Sequence, residues 1–204
     1  MTTAAQAAGT DGNDAFRQRL LGALAESIAD DGYRATTVAG IVRRARTSRR
    51  TFYEHFADKE ACFLALLAEK NQDLIRAVTS AIDFGAPWEA QVRQAITSYI
   101  ATVEAEPALT VSWIRELPSL GTRAQALQRD MLETFVTLVQ TLSETEEMKA
   151  AGIPPVRRQV AIIMLGGLRE LIAWTVEDDA SLSGIIETSV QSATALLRAG
   201  LDPA

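Results

Sequence analysis

Apolar residues recur every three to four positions along almost the whole chain, and no sustained two-residue alternation interrupts them. Phe16, Leu20, Leu24 and Ile28 fall four apart, the spacing of one helix face. Asp14 to about Asp31 is therefore expected to be a first helix, with Gly32 as its left-handed stop. Thr36 and Thr37 offer a cap for a short second helix carrying Val38, Ile41 and Val42. A break at Arg46–Thr47 follows, and Ser48 is placed to cap a third short helix with Phe52, Tyr53 and Phe56. Asp58 caps a longer fourth helix reaching Ile82. Downstream, Gly and Pro breaks separate five more helices, at about 87–104, 107–117, 122–145, 155–177 and 182–199. The predicted fold is all-α with about nine helices. Three make a small N-terminal unit over 14–59, and the long fourth helix leads into a helical body over 60–204. Residues 1–13 are small and polar, and read as an unstructured tail.

Charge changes this picture more than composition does. The chain carries a net −6, yet Arg34 to Lys59 holds seven basic residues against two acidic ones. A basic island in an acidic chain is the footprint of a surface that binds a polyanion. The island coincides with two short helices joined by a tight turn, which describes a helix-turn-helix. A recognition helix needs small or hydrogen-bonding residues where it enters the major groove, and Thr47, Ser48, Arg49, Arg50 and Thr51 stand there. Arginine forks can read guanine edges, and Tyr53 and His55 can reach phosphates. Lys59, in the first turn of the fourth helix, opposes the helix dipole. Its position is explained if ammonium and helix start hold a DNA phosphate together.

Enzyme chemistry finds little support. His55 is the single histidine and sits in the recognition helix, so a histidine-based triad in the body is excluded. No Cys/His cluster has metal-ligand spacing, and no cofactor or metal is expected. The single cysteine, Cys62, forms no internal disulfide. No signal-peptide pattern and no run of about 18 apolar residues is found, so a cytoplasmic protein without membrane contact is expected.

The stretch DDGYRATTVAGIVRRARTSRRTFYEHFADKEACF resembles the DNA-binding domain of the tetracycline-repressor (TetR) family. Gly32, Thr36–Thr37–Val38, Thr51–Phe52–Tyr53, His55–Phe56 and Lys59–Glu60 carry the likeness, over about a quarter of the chain. Three positions depart from the family pattern. Arg46 replaces the usual turn glycine, at about 1–2 kcal/mol if left-handed, and Thr47 replaces valine. Gly40 lies inside helix 2 where an acidic residue is usual, at about 1 kcal/mol against alanine. The resemblance implies a homodimer on palindromic double-stranded operator DNA, with Thr37, Arg46, Thr47, Ser48, Arg49, Arg50, Thr51, Tyr53, His55 and Lys59 at the DNA. It further implies a repressor released by a small hydrophobic effector. A regulator controlled by a protein partner, or by no effector, stays open, as does a helical enzyme with a degenerate helix-turn-helix.

For the body, Gln159–Leu168 contains no charge, so one face needs its own core and the other a partner. The expected interface is Ile163, Gly166, Gly167 and Glu170 with Ile186, Val190, Ala193 and Leu197 of the last helix, a four-helix contact by resemblance. The resemblance points to Phe84, Trp88, Tyr99, Trp113, Met131 and Phe135 as effector-cavity residues, with Leu117 beside them and Arg115 and Glu116 of VSWIREL as candidate polar anchors. Ordinary core packing accounts for the aromatics equally well, and solvation or a mutual ion pair for Arg115 and Glu116.

Overall fold

A computed structural model describes residues 3–199, with the side chains of 3–13 left aside. The described chain is all-α, with ten helices and two short 3-10 turns. It divides into two compact units, Met1–Lys70 and Asn71–Ala204. The boundary thus falls inside the fourth helix rather than at its start.

The first unit holds α1 (Thr3–Ala35), α2 (Val38–Arg44), α3 (Arg49–His55) and the first half of α4 (Lys59–Ala81). Helix α1 begins at Thr3, where a tail was expected through residue 13; Met1 and Thr2 lie outside the described residues. The run Thr3–Ala8 is rich in alanine, the strongest helix former. Gly32 takes φ 78° and ψ 161°, a non-helical break near the end of α1. The caps fall where hydroxyls and carboxylates stand. Thr37 accepts from the Gly40 amide at 3.1 Å, Ser48 from Thr51 at 3.0 Å, and Asp58 from Ala61 at 2.6 Å. Each satisfies an amide that a helix start leaves without a partner. The core joins Leu20, Leu24 and Ile28 of α1 to Ile41, Phe52 and Phe63, all at most 1% exposed. Phe16 stays outside it, 38% exposed under the Arg19 guanidinium.

The second unit contains α5 (Trp88–Ala105), α6 (Pro107–Arg115), α7 (Thr122–Leu142), α8 (Glu146–Ala150), α9 (Arg158–Glu177) and α10 (Ile186–Arg198). Helix α9 packs on α6 and α7, and α10 on α5. Helix α8 was not expected; Thr145 caps it by accepting from the Met148 amide. Helix α6 stops two residues early because Pro118 has no N–H to donate to the Ile114 carbonyl, and a 3-10 turn over Leu117–Ser119 follows. Helix α9 starts after Pro154–Pro155. It is 20 residues long with mean hydropathy 1.4, long and apolar enough by those two measures to cross a membrane. Arg169 and Glu170 interrupt the stretch, so it holds no unbroken apolar run of that length.

Candidate DNA interface and ligand cavity

The helix-turn-helix is built around one strained residue. Arg46 has φ 50°, the left-handed conformation expected of the turn, without the glycine that removes its cost. The reversal lets the Thr47 amide bond back to the Val42 carbonyl at 2.9 Å, closing α2. Ser48 then starts α3, and its Oγ also lies 2.9 Å from Thr51 Oγ1. Phe52 and Phe56 anchor the inner side of α3, 0% and 5% exposed. The outer side presents Arg49, Arg50 and Tyr53 to solvent. Arg50 Nε donates to Glu54 at 3.0 Å, whereas Arg43, Arg46 and Arg49 carry no ion pair among the described residues. Arg44 differs: it bridges Asp30 at 2.7 Å and Glu26 at 3.7 Å. The basic island is thus partly neutralised on α2 and open at the turn and the start of α3. Thr37 is exposed; Thr47, Thr51 and His55 are half-buried.

Lys59 departs from its expected role. Its ammonium donates to the Tyr33 carbonyl at 2.9 Å and the Thr36 carbonyl at 2.8 Å, and lies 4.3 Å from the Tyr33 ring centroid. Those carbonyls close the end of α1, so the cation meets the negative end of that helix's dipole. That arrangement, rather than a free phosphate-seeking ammonium, offsets the penalty of a lysine in the first turn of α4.

The second unit encloses a cavity of about 400 Å³. Val78 of α4 and Ile82 just after it, Val92 and Ile96 of α5, Leu138 and Leu142 of α7, Met164 and Leu168 of α9, and Leu196 of α10 form its apolar wall. Gln91, Tyr99, Ser143, Ser189 and Ser192 are its only polar members, and none carries a charge. Tyr99 and Phe135 meet edge to face within it, centroids 5.8 Å apart. Burial pushes the Tyr99 phenol up to about 12 despite the opposing Arg169 charge, so it stays a neutral hydroxyl. Gln91 Nε2 is held by the Phe84 and Ala86 carbonyls at 3.2 and 2.8 Å. Ser189 Oγ is buried with no hydrogen-bond partner.

Of the expected effector residues, only Tyr99 and Phe135 line this cavity. Phe84 is 50% exposed in the loop before α5. Trp88 packs in a separate cluster with Val92 and Val136, under the Arg198 guanidinium. Met131 and Leu117 are core residues, 3% and 0% exposed, and Trp113 packs beside the cluster containing Ile172. Arg115 is held by Glu177 (2.7 Å) and Glu170 (2.9 Å), carboxylates that raise its pKa well above the usual arginine value. Sequence reasoning missed the α9 and α10 wall. The uncharged run Gln159–Leu168 was its signal, read only as an interface.

The expected interface also divides. Ile163 (61% exposed), Gly167 and Glu170 lie on the open face of α9, and Gly166 and Ile186 are half-buried. Val190, Ala193 and Leu197 are 5–6% exposed, on the side of α10 that packs against α5. They serve the chain's own core, so they are not available to a second copy.

Together these features define a helix-turn-helix with a basic outer face and a separate all-helical unit that holds an apolar cavity. Residues 20–66 match the family model described as bacterial regulatory proteins, tetR family. The HTH-type transcriptional activator FasR of Mycolicibacterium smegmatis is 30% identical over 91 residues, 45% of this chain and 42% of that protein, so the match spans less than half of the relative's length. The fatty acid degradation regulator FadR from Bacillus halodurans has the same fold, with TM-score 0.76, 20% identity, and 89% and 94% of the two chains covered. So does the transcriptional regulator FadR from Bacillus subtilis, crystallised in complex with stearoyl-CoA, with TM-score 0.75, 18% identity and 88% and 97% coverage. The N-terminal unit is thus similar to the DNA-binding domain of tetR-family regulatory proteins, over residues 20–66.

Proposed function

We propose that this chain is a sequence-specific repressor that binds a palindromic operator as a homodimer and is released when a long apolar ligand fills the cavity of the second unit. The observation that carries the ligand class is the uncharged wall of that cavity. Burying a carboxylate or ammonium there without a counter-charge would cost several kcal/mol, while an alkyl chain gains about 0.8 kcal/mol per buried methylene. A fatty acyl chain fits this chemistry, and the likeness to a FadR that holds stearoyl-CoA supports it. Repression follows the commoner mode of the family. FasR, described as an activator, motivates the opposite sign for the same coupling.

Arg49, Arg50 and Thr51 are the proposed base readers and Tyr53 a phosphate contact. Helix α4 carries residues of both units, so ligand pressing on Val78 and Ile82 acts on the helix whose other end bears Lys59. The neutral fluorophore N-phenyl-1-naphthylamine should bind the wild type and be displaced by 1-dodecanol and stearoyl-CoA. Leu168→Trp, which fills the cavity, should abolish that binding and leave a DNA complex that no longer responds to either compound. A Leu168→Trp protein still released by them would place the ligand elsewhere.

A further inference from the structure

Several helical hydroxyls in this chain close back on their own helix. Ser27, Thr79, Thr102, Thr134 and Thr175 each donate to the carbonyl four residues earlier, at 2.7–2.9 Å. Ser189 of α10 does not. It is 8% exposed, and its buried Oγ has no hydrogen-bond partner. A buried hydroxyl left unmatched carries the full cost of its desolvation.

Ser189 also lines the cavity of the second unit. Four other polar residues do so, and three of them have partners or solvent. Gln91 Nε2 is fixed by the Phe84 and Ala86 carbonyls. Ser143 Oγ donates to the Gln140 carbonyl at 2.7 Å and accepts from the Val156 amide at 2.9 Å. Ser192 is exposed. That leaves Tyr99, 9% exposed, whose hydroxyl makes no hydrogen bond among the described residues. Tyr99 and Ser189 stand on α5 and α10, which pack directly on one another. Ile186, three residues before Ser189, packs against the cluster that contains Tyr99.

Resting on the ligand reading above, we propose that the Tyr99 and Ser189 hydroxyls form the polar pole of the cavity. They select an apolar ligand with a neutral acceptor oxygen, as in a ketone, ester or alcohol, over a plain hydrocarbon and over a carboxylate. An O–H donor is matched only by an acceptor, and a carbonyl oxygen has two lone pairs, one for each hydroxyl. Burial holds the Tyr99 phenol at about 12, so it remains a donor at any physiological pH. Arg169, whose charge opposes that rise, makes the phenol a better donor without being one of the residues that line the cavity. No charged side chain of the lining offsets a carboxylate there. A hydrocarbon in the same space would leave both hydroxyls unmatched, which is how a site built to hydrogen-bond rejects an analogue lacking the group.

The test is displacement of N-phenyl-1-naphthylamine from the full chain by three competitors at pH 8. They are 2-nonanone, 2-methyl-1-nonene (a methylene in place of the oxygen) and nonanoate. Tyr99→Phe and Ser189→Ala each remove one hydroxyl without breaking a hydrogen bond of the fold, so both should match the wild type by circular dichroism. Each should weaken 2-nonanone roughly three- to tenfold, the range of one neutral hydrogen bond, and leave the alkene within about twofold. Comparing both ligands in each protein cancels the difference in their hydration. Ketone and alkene affected equally in either variant would take that hydroxyl out of the pole and overturn the proposal while leaving the ligand reading intact. Nonanoate binding the wild type more tightly than 2-nonanone would overturn the neutral head. A wild type that does not bind the probe would refute both readings.

Discussion

Replacing Lys59 with methionine separates two roles that a basic residue at the DNA end of α4 can play. The substitution keeps the unbranched stem and removes the ammonium. In the structure that group donates at 2.9 and 2.8 Å to the carbonyls of Tyr33 and Thr36 and sits 4.3 Å from the Tyr33 ring centroid. A hydrogen bond to a charged group contributes about 1.5–3 kcal/mol, and a half-exposed cation–π contact about 0.5–1. The three share one ammonium and are not additive, so a loss of about 2–4 kcal/mol is expected. With a urea m value of about 2 kcal/mol/M, the midpoint should fall by roughly 1–2 M at unchanged m. Far-UV circular dichroism reads this directly. On DNA, the log–log salt slope should hardly change, whereas loss of a phosphate contact would flatten it by about one. A Lys59→Met protein with wild-type urea stability and a flattened slope would refute the capping role and restore the phosphate clamp.

Arg46→Gly should raise stability by about 0.5–1 kcal/mol, because relief of the left-handed strain at φ 50° exceeds the extra chain entropy that glycine adds to the unfolded state. Operator affinity should fall in the same variant as one unpaired cation leaves the turn, and a destabilised Arg46→Gly would contradict the strain. Arg115→Met tests the α6–α9 ion pairs by their pH dependence. The hydrogen bond from Arg115 holds the Glu177 carboxyl below its usual 4.5. The wild type's advantage should therefore be full above pH 4.5 and fade as pH falls through the lower folded value. Urea midpoints of the two proteins that differ equally at pH 3 and pH 7 would contradict it.

Punctuation was the legible part of this fold. Gly32, Thr37, Ser48 and Asp58 act locally, through φ or a single hydrogen bond to the next turn, and a local cause is visible in a linear sequence. The cost of a non-glycine residue at Arg46 was legible for the same reason, but not that the turn would keep its left-handed form and bear that cost, as it does. What periodicity does not reveal is which neighbour covers an apolar face. Val190, Ala193 and Leu197 make the same stripe whether it meets α5 of the same chain or a second copy, and the structure gives it to α5. Lys59 shows the converse limit, because its partners are backbone carbonyls 23 and 26 residues away that no side-chain pattern announces. The cavity was sought among aromatics because they are conspicuous. Its wall is mostly aliphatic, drawn from six helices whose residues look like ordinary core one helix at a time.

The proposal that a ligand controls DNA binding is tested most directly by fluorescence anisotropy on a duplex selected from a random pool, titrated with and without 1-dodecanol at physiological salt. Selection should return a palindrome whose half-sites lie about one DNA turn, ~34 Å, apart. It should be bound at least about 10³-fold tighter than unrelated DNA. Dodecanol should weaken that binding by a factor that operator DNA returns when dodecanol affinity is measured by calorimetry. A selected site whose affinity is the same at zero and saturating dodecanol, with the ligand demonstrably bound, would contradict it.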